Sequence, residues 1–126
     1  MAGQLNVELV VPDRRVWSGP AEMVVARTAE GDIGILPGHE PVLGLLVSGQ
    51  VSVHQADGDV LTAAVHGGFL SVADDNVSIL AEVAELAEEI DVQRAEAALR
   101  REAEREEEVE EARRRAEVRL RVAGAR

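Results

Sequence analysis

The 126-residue chain carries 24 acidic and 13 basic residues, for a net charge of −11, and has no cysteine. That balance argues against a nucleic-acid binder driven by phosphate contacts, and the missing cysteine excludes disulfides and thiolate metal sites. Trp17 and Phe69 are the only aromatic residues, so the core that a chain of this length can bury must be aliphatic.

In chain order, the residues up to about Leu80 read as short strands. In "QLNVELVV", Leu5, Val7, Leu9 and Val11 alternate with their neighbours, the period of a half-buried strand. "AEMVVARTA", "GQVSVHQA", "DVLTAAVHGGFLSV" and "NVSILAEV" follow. Breaks fall at Pro12-Asp13, Gly19-Pro20, Asp57-Gly58, Gly67-Gly68 and Asp74-Asp75-Asn76. Asp57-Gly58 between two β-type runs predicts a hairpin with a type I′ turn, which needs positive φ at both central residues. Strands about ten residues apart predict a β-sandwich or flattened barrel.

The chain changes grammar near Ala81 to Glu85. Ten of eleven glycines and all four prolines precede Ala81, and neither residue occurs between Phe69 and Ala123. Beyond that boundary the pattern predicts helix, with Asp91 as its cap. Val92, Ala95, Leu99 and Glu102/Ala103 fall at three- and four-residue steps, and Val109, Ala112, Ala116, Leu120 and Ala123 repeat the pattern. Glu96–Arg100, Glu110–Arg114, Glu111–Arg115 and Glu117–Arg121 are i,i+4 pairs, each worth only ~0.2–0.5 kcal/mol. A turn between two helices has no breaker to use at "REEEV", Arg105 to Val109. One continuous helix from Asp91 to Ala123, roughly 50 Å long at 1.5 Å per residue, is also permitted, although the like charges at Glu106-Glu107-Glu108 weaken that point. No apolar run approaches the ~18 residues of a membrane span, and none follows a charged start as in a secretory signal. Membrane association is therefore expected only through a partner.

Candidate chemistry concentrates in "EGDIGILPGHEPVL", Glu30 to Leu43, with three glycines, two prolines, three carboxylates and one histidine. His39, His54 and His66 lack the short spacings of a metal site. None of the serines lies in a G-x-S-x-G elbow, and no phosphate-binding glycine loop opens a helix. Glycines that permit tight turns account for these stretches more simply. Charge order is clearer in the helical part. Glu102 to Glu111 holds seven acids and one arginine, whereas Ala112 to Arg126 holds six arginines and one glutamate. Six exceed what a helix dipole calls for, so a basic tip meeting an acidic protein surface is expected, RNA being the weaker alternative.

Taken together, "EGDIGILPGHEPVL", "HGGFLSV", "NVSILAE" and "EIDVQRAEAA", in that order, resemble the epsilon subunit family of bacterial ATP synthases. The resemblance covers essentially the whole chain. It implies a β-sandwich of about ten strands over residues 1–84, docking on the gamma subunit and the c-ring. Residues 85–126 become a regulatory two-helix element, either a hairpin or extended. The implied function is that of a non-catalytic central-stalk subunit, peripheral on the cytoplasmic face of the bacterial cell membrane. It couples proton flow to ATP synthesis and restrains hydrolysis.

The same resemblance implies residue roles. Glu30, Gly31 and Asp32 would face the c-ring and His39 would face gamma. Arg113, Arg114, Arg115, Arg119 and Arg121 would meet an acidic region of beta when the helices lodge against the alpha and beta subunits. Some relatives bind ATP as a regulatory ligand through an I/L-D-x-x-R-A motif. That motif falls here on Ile90, Asp91, Arg94 and Ala95, with Glu85, Arg101, Arg115 and Arg119 at other matching positions. The simpler reading of the motif is that Asp91 caps the helix and Arg94 pairs with a nearby glutamate. No metal or resident cofactor is implied. Two other classes, a small metal-dependent β-barrel enzyme with a helical tail and a freestanding helical adaptor, leave the four motifs unexplained.

Overall fold

The computed structural model describes residues 3–124. Seven strands come first: β1 (Leu5–Val11), β2 (Arg14–Thr28), β3 (Gly31–Ile35), β4 (Val42–Leu46), β5 (Gly49–Gln55), β6 (Val60–Ala73) and β7 (Asn76–Leu86). A 3₁₀ turn at Ala87–Glu89 and a single helix α1 (Val92–Gly124) complete the described residues. It divides into two units between Glu89 and Ile90.

Seven strands stand where about ten were expected, because three of them are long enough to serve two sets of neighbours. β2 pairs with β1 along Arg14–Ala21, then with β3 and β5 along Ala21–Thr28. β6 pairs with β5 along Val60–Val65 and with β4 along Gly68–Val72. β7 runs antiparallel to β6 and parallel to β1, the latter only along Asn76–Leu80. Divided where their neighbours change, β2, β6 and β7 account for the three missing strands.

The burial pattern marks the same points. In β6 the buried residues are Ala63 and Val65, then Leu70 and Val72. In β7 they are Val77, Ile79 and Ala81, then Ala84. In β2 they pass from Ala21 to Val24 and Ala26, across a register shift between Ala21 and Met23. A one-residue slip moves side chains to the opposite face, so each strand keeps its apolar side inward as it turns. The enclosed core is wholly aliphatic, with Leu5, Leu9, Ile35, Leu70 and Ile79 as its largest fully buried members. Among the described residues no polar or charged side chain is buried.

Gly67 and Gly68 permit the turn in β6, at φ +75° and +123°. A Cβ on Gly68 would lie 2.0 Å from the Leu80 carbonyl oxygen and 2.8 Å from Ala81 Cα. The hairpin at Asp57-Gly58 forms, but not as a type I′ turn: of the two residues only Gly58 has positive φ, at 96°. Its amide bonds the Gln55 carbonyl at 3.0 Å, the arrangement of a longer loop closed by a left-handed glycine. Both central residues are left-handed instead in the β6–β7 hairpin, at Asp74 (φ 49°) and Asp75 (φ 62°). Aspartate enters that region more readily than most residues.

The expected pair of helices is one helix of 33 residues. Asp91 caps it, its Oδ1 accepting from the Arg94 amide at 3.0 Å. Nothing between Val92 and Ala123 breaks it, and i,i+3 ion pairs reinforce the middle. Arg113 bonds Glu110 at 2.7 Å and Arg114 bonds Glu111 at 2.7 Å. Among the four anticipated i,i+4 pairs, Glu111–Arg115 is present at 3.5 Å. Glu110 takes Arg113 in preference to Arg114, since i+3 and i+4 partners are equally within reach on an exposed helix.

Gly68→Ala should destabilise the sandwich by about 2–4 kcal/mol in denaturant unfolding, because a methyl group must displace backbone. Gly58→Ala, with no atom within 4 Å of its Cβ position, should cost only about 1 kcal/mol from its left-handed φ.

Candidate functional site

The segment Glu30 to Leu43 is a corner built by its own hydrogen bonds. Thr28 Oγ1 accepts from the Glu30 amide at 3.2 Å and donates to the Gly31 carbonyl at 2.8 Å. This closes the turn between β2 and β3, where Gly31 has φ +122°. Asp32 accepts from Arg27 Nε at 3.0 Å. The hydrogen bond and charge of Asp32 raise the Arg27 pKa further above its ordinary value. Past β3, the His39 amide bonds the Leu36 carbonyl at 3.1 Å, and the Gly38 amide bonds Asp75 Oδ1 at 2.7 Å. His39 Nδ1 donates to the Glu40 carbonyl at 2.7 Å. Asp32 and His39 thus have structural partners, and Glu30, Gly31 and Asp32 remain exposed at the turn.

Beside this corner lies a feature that strand periodicity alone does not reveal. Leu45 on β4 is level with Phe69 on β6, Phe69 with Leu80 on β7, and Leu80 with Val10 on β1. These residues form one row across the outer face of four strands. Leu45, Phe69 and Leu80 are 53%, 50% and 47% exposed, and Leu43, one row over, is 72% exposed. The row containing Leu43 continues through Ser71 and Ser78 to Glu8. There Ser78 Oγ donates to Glu8 Oε1 at 3.2 Å and Arg15 lies 3.7 Å from Glu8. An apolar row with a polar border is the anatomy of a protein-docking face. Its sequence signal is "VLGLL" in β4, where leucines occupy both faces of one strand, as happens when both faces are covered.

The histidines serve separate elements. His54 lies on β5 opposite Val60 and Met23. His66 on β6 sits 3.2 Å from Glu85 Oε1 through Nε2 and 3.4 Å from Ser48 Oγ through Nδ1. Sequence spacing did not bring this serine, histidine and carboxylate together. The His66 and Glu85 side chains are 45% and 48% exposed, so water competes for both and the trio acts as a surface brace. Among the described residues no three of His, Asp and Glu gather as a metal site would require.

The remaining candidates lie on or before α1. Ile90 and Asp91 precede it, and Arg94, Ala95, Arg101, Arg115 and Arg119 are within it. The straight helix keeps Arg94 and Arg115 about 31 Å apart, at 1.5 Å per residue, beyond the reach of two side chains toward one ligand. Arg94 has no ion pair among the described residues. Arg113, Arg114, Arg115, Arg119 and Arg121 fall within the last three turns or so of α1, whereas Arg126 lies outside the described residues.

Comparison with known proteins bears on these surfaces. Residues 4–87 match the family model described as the beta-sandwich domain of the ATP synthase delta/epsilon chain. The chain belongs to the ATP synthase delta/epsilon family. The ATP synthase epsilon chain of Streptomyces avermitilis is 58% identical over 126 residues, covering all of both chains. That of Rhodococcus jostii is 59% identical over 97 residues, covering 76% of this chain and 80% of the other. A chain of the Euglena gracilis mitochondrial ATP synthase, solved with OSCP, F1 and c-ring, matches with a TM-score of 0.72 and 31% identity. That match covers 78% of this chain and 62% of the Euglena chain, so the protein spans under two thirds of that relative. Membership in this family makes the chain a subunit of the ATP synthase complex. No helix among its described residues is long and apolar enough to cross a membrane.

Neighbouring residues on β6 separate the exposed row from the core. Phe69→Ala should leave stability within about 1 kcal/mol of wild type, because its ring is half in water, whereas Leu70→Ala should cost about 2–5 kcal/mol. Equilibrium unfolding of both variants checks this.

Proposed function

We propose that this chain is a non-catalytic rotor subunit of an F-type ATP synthase, coupling proton flow to ATP synthesis and restraining ATP hydrolysis through its helix. The observation that carries the reading is the exposed row Leu45–Phe69–Leu80. An uncovered apolar stripe on a rigid aliphatic sandwich suits permanent attachment to another rotor subunit. Gamma is the partner assigned to it and to His39, and Glu30, Gly31 and Asp32 are directed to the c-ring. Short, internally bonded turns suit a part that must transmit torque without yielding. Attachment is peripheral, at the cytoplasmic face of the membrane, and is made through the complex.

The helix supplies regulation. Its 33 residues have no buried member and carry an arginine-rich end, which suits insertion against the catalytic alpha and beta subunits. ATP fits as a regulatory ligand only in a second conformation. Bending α1 at the acidic run Glu106-Glu107-Glu108 would bring Arg115 and Arg119 back toward Asp91 and Arg94. Like charges at that run make it the weakest point of the helix.

ATP hydrolysis by the catalytic sector depleted of this subunit tests both parts. Full-length chain should suppress turnover, and residues 1–89 should bind without suppressing it. Failure of both to bind would overturn the assignment. Added ATP should raise the melting temperature of the wild type and have no effect on Arg94→Ala; equal shifts in the two would remove the nucleotide site.

A further inference from the structure

The five arginines near the end of α1 are not equivalent. Successive residues advance about 100° around a helix, so Val109, Ala112, Ala116, Leu120 and Ala123 form one apolar strip about 80° wide. Arg113 borders this strip on one side and Arg119 on the other, each about 20° beyond its edge. Arg114 and Arg121 point to the opposite side, about 160° and 140° from the centre of the strip. The earlier apolar residues Val92, Ala95, Leu99 and Ala103 form their own strip about 100° further round. A single straight groove therefore cannot hold both halves of the helix.

We infer that the C-terminal half of α1 docks alone, by the strip from Val109 to Ala123, into an apolar groove whose two banks carry carboxylates. The inference rests on the regulatory reading above and narrows its partner surface within the catalytic sector. Charge complementarity selects the occupant. A guanidinium on each flank matches an acidic bank on each side, and the arginine stems widen the apolar strip. The alanines between Val109 and Leu120 allow close approach of the partner backbone. Arg113 is held in place by Glu110 at 2.7 Å and Glu117 at 3.9 Å. Arg119 makes no ion pair among the described residues, leaving its donors for a partner. Leu120 is exposed on the strip, and Val118, also exposed, points away from it.

The test compares full-length variants of equal charge for suppression of ATP hydrolysis by the depleted catalytic sector. Arg113→Ala/Arg119→Ala should raise the half-suppressing concentration about tenfold, and Arg114→Ala/Arg121→Ala less than about twofold. The single changes Arg119→Ala and Arg121→Ala repeat the contrast without removing any ion pair among the described residues. Leu120→Ala should weaken suppression more than Val118→Ala, with helicity checked by circular dichroism. Equal shifts in the two arginine pairs would overturn the face assignment, pointing to net charge alone. No suppression by the wild type would overturn the regulatory reading and this inference together.

Discussion

A side chain at Gly68 would meet the Leu80 carbonyl oxygen at 2.0 Å, so β6 and β7 can pass closely here only because one strand has no Cβ. Much of the sandwich depends on this passage. It lets β6 leave β5 and join β4 while remaining paired with β7, and it coincides with the change of inward face in both strands. The result is a core of aliphatic side chains with no buried polar group among the described residues. Such a core has few ways to yield, because tight packing rather than rearrangeable hydrogen bonds holds it.

The same crossing arranges the outer surface. Once β4, β6, β7 and β1 lie side by side, Leu45, Phe69, Leu80 and Val10 fall level with one another. None of these residues announces a docking face alone, since single exposed apolar residues are ordinary. Their alignment makes a continuous stripe, and the bordering Glu8, Ser78 and Arg15 give it a polar edge. The corner from Glu30 to Leu43 is positioned differently, through Thr28, Asp32 and Asp75, which bond turn backbone or Arg27. Within it the Asp32 carboxylate holds Arg27 and the His39 ring bonds the Glu40 carbonyl, so both side chains serve the local structure.

In α1 the balance is set by propensity and charge. Alanine, glutamate and arginine favour helix, and exposed i,i+3 pairs add small increments. These terms extend through Glu106-Glu107-Glu108 without a breaker, so the helix is continuous although each half has its own apolar strip. The offset between the strips leaves each half suited to a different surface.

Residue spacing alone determined the aliphatic core, the inward set Leu5, Val7, Leu9 and Val11, and the Asp91 cap. These are local properties: alternation, turn chemistry and capping act within a few residues. The change of grammar near Ala81 to Glu85 falls inside β7, and the two units divide between Glu89 and Ile90. The four motifs in order were enough to point to the family. Tertiary structure decided the rest. Whether Gly67-Gly68 ends a strand or turns one depends on how near β7 lies. Which hairpin takes two left-handed residues depended on strand register, which favoured Asp74-Asp75 over Asp57-Gly58. The meeting of Ser48, His66 and Glu85 and the apolar row across four strands also depend on register. Pairing between residues distant along the chain places them together, and no short stretch of sequence carries that information.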